Sequence, residues 1–287
     1  MNLLINTYLV FSVPRRLPYL RSTITAFIMQ QVKDNPTINV NLTVPTGWDK
    51  LADNQLRYVF GLMAQGFPSP QVKTYCLFRW TGMQVMHKYG RGWWCKFADD
   101  EFVIMAEQVN AAIAALDWID SLPSKPVCIS RIGKHRALTA DFQEVPFETF
   151  IICDNLYQGY LSAKEDALLD DLARQLYKSS KVNPTEAERI GVFYWFASLK
   201  EMFARQFKHF FKPISNAGNA DGNMFEQTRS QYEILYEAVN SQIRALTKGD
   251  VTKEKEVLAI DTWRALTELN ALAKEYDEFN RKYPSTH

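Results

Sequence analysis

The stretch from Pro184 to Phe211 restricts the fold of this chain more than any other part of its sequence. It reads PTEAERIGVFYWFASLKEMFARQFKHFF. Apolar residues recur at three- and four-residue steps, which predicts a helix. Phe193, Tyr194 and Trp195 widen its apolar face to most of the circumference. Because such a helix has to be covered on several sides, we expect it to lie at the centre of a helical core.

The start of this central helix carries its own signals. Asn183 is a predicted N-cap, and Pro184 suits the first helical position, where no backbone N–H is needed. Glu186 and Glu188 then place negative charge near the N-terminus, where the helix dipole favours it. These features predict a helix that begins at Pro184.

Composition sets limits on the class of protein. The chain has 287 residues, of which 47% are hydrophobic, enough for one sizeable core and a smaller satellite domain. The formal charge of +1 gives no overall electrostatic case for nucleic acid or an anionic membrane as partner. The 4 cysteines are far apart and none has metal-ligand spacing, which favours buried reduced thiols in a cytosolic protein.

The order of patterns predicts an α+β fold, predominantly α. Residues 38–146 read as a mixed unit, with a strand over 38–44, two amphipathic helices, a hairpin around Gly90-Arg91-Gly92 and a strand in PVCISRI. Residues 147–213 have helical periodicity throughout and form the predicted helical core. The polar stretch 214–223, ISNAGNADGN, reads as a flexible linker, and residues 224–287 as a helical hairpin.

The N-terminal extension, residues 1–37, is interpreted separately. Its first apolar run has no preceding basic residue, unlike a secretory signal, and is too short to span a bilayer. Clear patterning begins only a few residues after Met29. We therefore expect Met29 to be the natural start; a short membrane-associating segment is the alternative.

Recognisable catalytic chemistry is absent from the sequence. It contains no nucleophile elbow, HExxH, Walker or dinucleotide-binding glycine motif. Asp99-Asp100-Glu101 points in different directions on an extended chain and reads as a solvated turn. We therefore predict no catalytic residues, no metal site and no cofactor, and a protein that is not an enzyme. The alternative is an enzyme whose histidine and carboxylate residues come together from distant positions.

One local basic cluster is a candidate phosphate site. Arg131, Lys134, His135 and Arg136 surround a predicted turn at Gly133-Lys134, from which their side chains project. Arginine and lysine at such a turn can contact phosphate. The alternative is that they keep the edge of a hairpin soluble.

The predicted helical hairpin is the candidate partner-binding module. Each of its helices has an apolar stripe, and the aromatic residues Tyr232, Tyr236 and Tyr276 lie on these stripes. Trp263 lies well off its helix's stripe and is expected to remain uncovered when the stripes pair. Because aromatic anchors often carry interface energy, we expect another protein or a second copy of the chain to bind here. The alternative is that the hairpin docks on the main body of its own chain.

Four segments carry a resemblance to a known group of proteins. VPTGWDKL, KTYCLFRW, VPFETFIICDNLYQGY and VFYWFASLKEMF, spread over about residues 40 to 213, resemble uncharacterised proteins from prophages and other mobile elements of gut Bacteroidales. The resemblance implies a phage-related setting near tail-assembly genes, and supplies no catalytic residues. It implies a tail-assembly chaperone or adaptor in the cytoplasm of a bacterial host. A nucleic-acid-associated protein that uses the basic cluster is the alternative.

Overall fold

The computed structural model describes residues 7–12, 37–211 and 231–283, and the surroundings of side chains in 42–211 and 237–283. The chain divides into two compact units, Met1–Pro123 and Ser124–His287. The described part is mostly helical, with a small antiparallel sheet in the first unit and a pair of C-terminal helices in the second. This confirms the predicted α+β, predominantly α, fold class.

In the described residues, the first unit combines one antiparallel sheet with three α-helices. The strand order is β2-β1-β5-β4-β3. Its strands are β1 (Thr7–Ser12), β2 (Thr37–Leu42), β3 (Gln84–Tyr89), β4 (Gly92–Phe97) and β5 (Asp100–Met105). Its α-helices are α1 (Asp53–Ala64), α2 (Ser69–Thr81) and α3 (Ala106–Ile113), and α3 continues as a 3-10 helix, Ala114–Asp120.

The β3–β4 hairpin forms as the alternating sequence pattern predicts. Cys95 of β4 pairs with Phe102 of β5, and both side chains are buried. At the start of β4, a Cβ atom added to Gly92 would lie 2.2 Å from the carbonyl oxygen of Ile104. Only glycine therefore allows the close approach of β4 and β5 at this position.

Tryptophan side chains organise the core of the first unit. The buried Trp48 ring stacks on Phe60 at 5.5 Å between centroids. Its Nε1 donates hydrogen bonds to the carbonyl oxygens of Trp118, at 3.2 Å, and Ser121, at 2.9 Å. These bonds tie the residues before α1 to the 3-10 helix and its C-terminal end.

The second unit is built around a layer of packed helices. After a two-stranded hairpin, β6 (Arg131–Ile132) and β7 (His135–Arg136), all its remaining described elements are helical. The α-helices are α4 (Phe147–Ala163), α5 (Asp166–Leu176), α6 (Glu186–Gln206), α7 (Gln231–Thr247), α8 (Glu254–Ala259) and α9 (Thr262–Lys282). Phe196 and Phe203 of α6 are fully buried, which confirms that the central helix lies inside the core.

The start of α6 differs from the sequence prediction. The N-cap is Thr185, whose Oγ1 accepts a hydrogen bond from the Glu188 N–H at 3.4 Å. The Glu188 carboxylate accepts one in return from the Thr185 N–H at 2.8 Å. Because this capping box satisfies two free backbone donors, the helix begins at Glu186, after Pro184 instead of at it.

Residues 124–146 also differ from their predicted assignment to the mixed unit. Phe142 and Val145 belong to the same buried core as α4, α5 and α6. Of the predicted strand PVCISRI, only Arg131–Ile132 is a strand, because it pairs with His135–Arg136 alone. The first unit therefore ends at Pro123, and the hairpin belongs to the second.

The C-terminal helices belong to the second unit rather than forming a separate module. Ala265, Leu266 and Leu269 of α9 are part of the core formed by α4 to α6. The predicted second helix of the hairpin is broken at Ile260, where the backbone turns to accept a hydrogen bond from the Phe147 N–H at 2.9 Å.

The predicted linker, 214–223, lies outside the described residues. Within the described ranges, no helix combines the length and apolar character needed to cross a membrane.

Candidate functional site

The N-terminal end of α9 is firmly anchored in the second unit. Asp261 is its N-cap and accepts hydrogen bonds from the N–H groups of Arg264 and Glu144. The buried Thr262 hydroxyl donates to the Val145 carbonyl oxygen at 2.7 Å. These contacts join the helix to the loop that precedes α4.

Trp263, a predicted partner-binding residue, packs inside the second unit. Its ring lies edge-on to Phe203, at 5.3 Å between centroids, and to Phe207, at 5.7 Å. Its Nε1 donates a hydrogen bond to the Asp141 carbonyl oxygen at 2.7 Å. Trp263 is therefore covered by the body of its own chain, one of the two expected alternatives, and its side chain lies off the α9 stripe because it faces α6.

The middle of α9 holds the C-terminal end of α6. The Asn270 Oδ1 accepts hydrogen bonds from the N–H groups of His209, at 2.9 Å, and Phe210, at 3.2 Å. Two turns later, Asp277 Oδ2 lies 3.3 Å from His209 Nδ1. Asn270 and Asp277 therefore connect this part of α9 to the turn 207–211 that ends α6.

Beyond Asn270 the apolar stripe of α9 continues, but its large aromatic side chains are exposed. Tyr276, Phe279 and Tyr283 are 68%, 61% and 66% exposed. The rings of Phe279 and Tyr283 contact each other, with centroids 5.1 Å apart. We call these three residues the aromatic end of α9. Of these three, only Tyr276 was named from the sequence as a partner-binding residue; the spacing also places Phe279 on the stripe, and one further four-residue step reaches Tyr283.

The predicted residues Tyr232 and Tyr236 lie near the N-terminal end of α7. Their side chains are outside the residues whose surroundings are described. Their role in partner binding stays a prediction.

The predicted phosphate-binding residues surround the β6–β7 hairpin. Arg131 pairs directly with Arg136, and Ile132 with His135. Arg131 and Arg136 are exposed, as is Lys134 in the turn, whereas His135 is half-buried. The structure thus brings the predicted cluster together at a hairpin tip.

Ionisable groups elsewhere are engaged in the fold. Burial raises the pKa of Cys76 to about 12 and that of Cys95 to about 11, so neither thiol is activated as a nucleophile. Burial opposes the charged form of Lys73, but hydrogen bonds to Asp117, at 2.6 Å, and Asp120, at 2.5 Å, outweigh it and raise its pKa. These ion pairs join α2 to the 3-10 helix.

Among the side chains that the structure describes, no three acidic, histidine or cysteine residues lie together as a metal ion would need. The predicted solvated turn, Asp99 with Asp100 and Glu101, leads into β5, where Glu101 accepts a 3.3 Å hydrogen bond from Trp94 Nε1.

Comparison with known proteins gives no match: no family model, curated protein or solved structure is similar to this chain.

Proposed function

We propose that this chain is a non-enzymatic interaction protein of phage assembly, and that it joins a second copy of itself through the aromatic end of α9. The observation that carries the proposal is the exposure of Tyr276, Phe279 and Tyr283 on one stripe of a helix whose other half is buried. Exposed aromatic clusters of this kind mark interaction surfaces, and aromatic side chains commonly supply the binding energy.

The charges beside these rings favour a protein as the partner. The sequence from Lys274 to Lys282 is KEYDEFNRK, with three basic and three acidic residues. A surface with balanced charge does not attract a polyanion or an anionic membrane. A polar rim of both signs around an apolar centre is instead typical of protein–protein interfaces.

The order of these charges favours a second copy of the chain. In a two-fold interface, the same surface on both copies has to be complementary to itself. Glu275 and Lys282 are exposed and flank the aromatic stripe on the same side, seven residues or two turns apart. If two α9 ends pair antiparallel with Tyr276 opposite Tyr283, Glu275 of each copy lies close to Lys282 of the other, so the flanking charges that face each other have opposite signs.

The setting in phage assembly rests on the resemblance of four sequence segments to prophage proteins. The expected compartment is the cytoplasm of the bacterial host. The free cysteines agree with a reducing compartment, because three of the four are buried and none forms a disulfide. An assembly chaperone or adaptor needs a surface for reversible contact, which the aromatic end of α9 supplies.

Light scattering of the full chain tests the self-association. The interface is short, so we expect a weak dimer with a Kd between about 1 μM and about 1 mM. The variant Tyr276→Ser/Phe279→Ser/Tyr283→Ser should stay monomeric across this range. A matched control is Met86→Ser/Val251→Ser, which removes exposed apolar side chains elsewhere and should dimerise like the parent. Point variants are used because truncation before α7 would remove Ala265, Leu266 and Leu269 from the core.

A charge exchange tests the antiparallel arrangement. Glu275→Lys and Lys282→Glu should each weaken the dimer, because each creates like charges across the interface. The double variant Glu275→Lys/Lys282→Glu should restore it, since the two copies again present opposite charges. A parent protein that is monomeric at the highest concentration, or a triple serine variant that still dimerises, would reject the proposal.

A further inference from the structure

We propose that the exposed basic surface formed by the β6–β7 hairpin and the turn after α5 binds the phosphate backbone of nucleic acid. This surface lies on different residues from the aromatic end of α9, and the proposal does not depend on self-association. It consists of Arg131, Lys134, Arg136, Lys178 and Lys181, all exposed.

Hydrogen bonds bring the two parts of this surface together. The Leu138 N–H, two residues after Arg136, donates to the Leu176 carbonyl oxygen at 2.9 Å. The buried Tyr177 hydroxyl donates to the Ile129 carbonyl oxygen at 2.6 Å. The hairpin is therefore attached at its base to the two residues that immediately precede Lys178.

The turn after α5 has a defined backbone. The Ser179 N–H donates to the Arg174 carbonyl oxygen at 3.0 Å, and the Lys178 N–H to that of Gln175 at 3.2 Å. This pattern is a Schellman motif, which places Lys178 in the left-handed conformation, with φ 48°. The turn thus presents Lys178 and Lys181 from an ordered segment.

The two arginines of the hairpin lie side by side. Arg131 is directly opposite Arg136. Because neighbouring residues on a strand point to opposite faces and Ile132 is buried, both arginines point outward on the same face. Two guanidinium groups on one face concentrate positive charge where a phosphate backbone can contact both.

Among the described residues, the three lysines of this surface and Arg136 have no acidic partner. The segments 129–138 and 176–182 contain no Asp or Glu. Within the part of the chain that the structure describes, no carboxylate is ion-paired with Lys134, Arg136, Lys178 or Lys181. The chain as a whole has a formal charge of only +1, so this concentration of positive charge is local.

The arrangement fits a nucleic acid better than other anions. The five exposed side chains belong to two separate segments, a hairpin and a neighbouring turn, so they suit a series of phosphates more than a single phosphate ion. Of the large apolar side chains exposed in the described ranges, none lies in these two segments, which leaves no anchor for insertion into a lipid surface. Arginine also binds phosphate in bidentate geometry.

The test is fluorescence anisotropy of the full chain with a labelled 20-nucleotide oligo-dT and a 20-base-pair duplex. If four of the five side chains contact phosphates, affinity for the single strand should fall roughly 50-fold between 50 and 200 mM salt. Measurements on the Tyr276→Ser/Phe279→Ser/Tyr283→Ser variant give the affinity without any contribution from dimers. Binding should be the same in both proteins.

Two variants distinguish binding at this surface from nonspecific electrostatic binding to the rest of the protein. Lys178→Gln/Lys181→Gln should weaken binding and reduce the magnitude of the salt slope for the single strand by about 1.4. The control Lys208→Gln/Lys255→Gln makes the same charge change at exposed positions elsewhere in the second unit and should leave the slope unchanged. All substituted side chains are exposed, so thermal melting should confirm that both variants remain folded.

Three results would overturn the inference. The first is an equal loss of affinity in the two lysine variants. The second is no binding to either nucleic acid at 50 mM salt, and the third is binding to phosphatidylserine vesicles or poly-glutamate, in parallel assays, without binding to nucleic acid. Tighter binding of nucleic acid than of both other anions, with the expected difference between the variants, supports it.

Discussion

The two halves of α9 have the same apolar periodicity but opposite surroundings. In the first half, Ala265, Leu266 and Leu269 are buried in the core of the second unit. In the second half, Tyr276 and Phe279 continue the stripe and are exposed. Asn270, near the middle of the helix, marks the change, because its side chain binds the end of α6. An apolar stripe therefore shows that a surface has to be covered, but not by what.

The amino acids in the two halves differ in a way that fits their surroundings. The buried half uses small and aliphatic side chains, which fill a core at high density. The exposed half uses aromatic rings, two of them with a hydroxyl that water can solvate. Four substitutions, taken from the largest expected effect to the smallest, test whether this difference reflects stability on one side and association on the other.

Phe203→Ala should have the largest effect. Phe203 is fully buried, and its ring contacts Phe150 at 5.5 Å and Trp263 at 5.3 Å between centroids. Removing it should lower the free energy of unfolding by about 3–5 kcal/mol, which threatens a domain of about 5–15 kcal/mol total stability. Denaturant unfolding measures the change. An unchanged midpoint would mean that α6 is not enclosed.

Leu269→Ala should have the next largest effect. Leu269 is the last fully enclosed aliphatic residue of the α9 stripe before Asn270. We expect a loss of about 2–5 kcal/mol, as for other buried leucines. Thermal melting together with light scattering distinguishes the outcomes: stability should fall, and any folded fraction should still dimerise. Loss of dimerisation without loss of stability would remove the distinction between the two halves.

Asn270→Ala should have an intermediate effect. The variant removes the acceptor that satisfies the N–H groups of His209 and Phe210. Leaving such donors without a partner costs about 1–3 kcal/mol when they are buried, and His209 and Phe210 are half-buried, so the lower part of this range is expected. Hydrogen exchange should show faster exchange at these two amides. Unchanged exchange would show that α9 does not hold the end of α6.

Phe279→Ser should have the smallest effect on stability. Its side chain is largely exposed, so the free energy of unfolding should change by no more than about 0.5 kcal/mol. The same variant should weaken self-association in light scattering. Comparison with Phe203→Ala uses one residue type in two surroundings. A large loss of stability in Phe279→Ser would show that the aromatic end packs on its own chain.

Much of the architecture was predictable because local patterns determine it. The periods of the central helix, the β3–β4 hairpin and the C-terminal helices are carried by neighbouring residues, and each of these elements forms. The N-cap was misassigned because Asn183 and Thr185 are both good caps, and only Thr185 has a glutamate three residues later to complete the capping box. Capping preferences therefore identified the helix but not its first residue.

The remaining features depend on contacts between distant residues. The Trp263 side chain is covered by Phe203 and Phe207, which sequence periodicity within α9 cannot show. The basic cluster at Arg131 and Arg136 was visible locally. Lys178 joins it only because Leu138 and Leu176 are hydrogen-bonded across the fold. No signal in the sequence connects these two segments.

The contacts at the start of α9 also have a consequence for the order in which the second unit folds. Thr262 bonds to Val145, and Trp263 to Asp141, across sequence separations of 117 and 122 residues. During synthesis on the ribosome, α4 to α6 emerge well before α9. Their apolar surfaces therefore stay exposed until α9 has been synthesised. Contacts of such large sequence separation slow folding and prolong the exposure of unfinished cores. We therefore expect this unit to complete its fold only after translation of α9, with chaperone protection most useful in that interval.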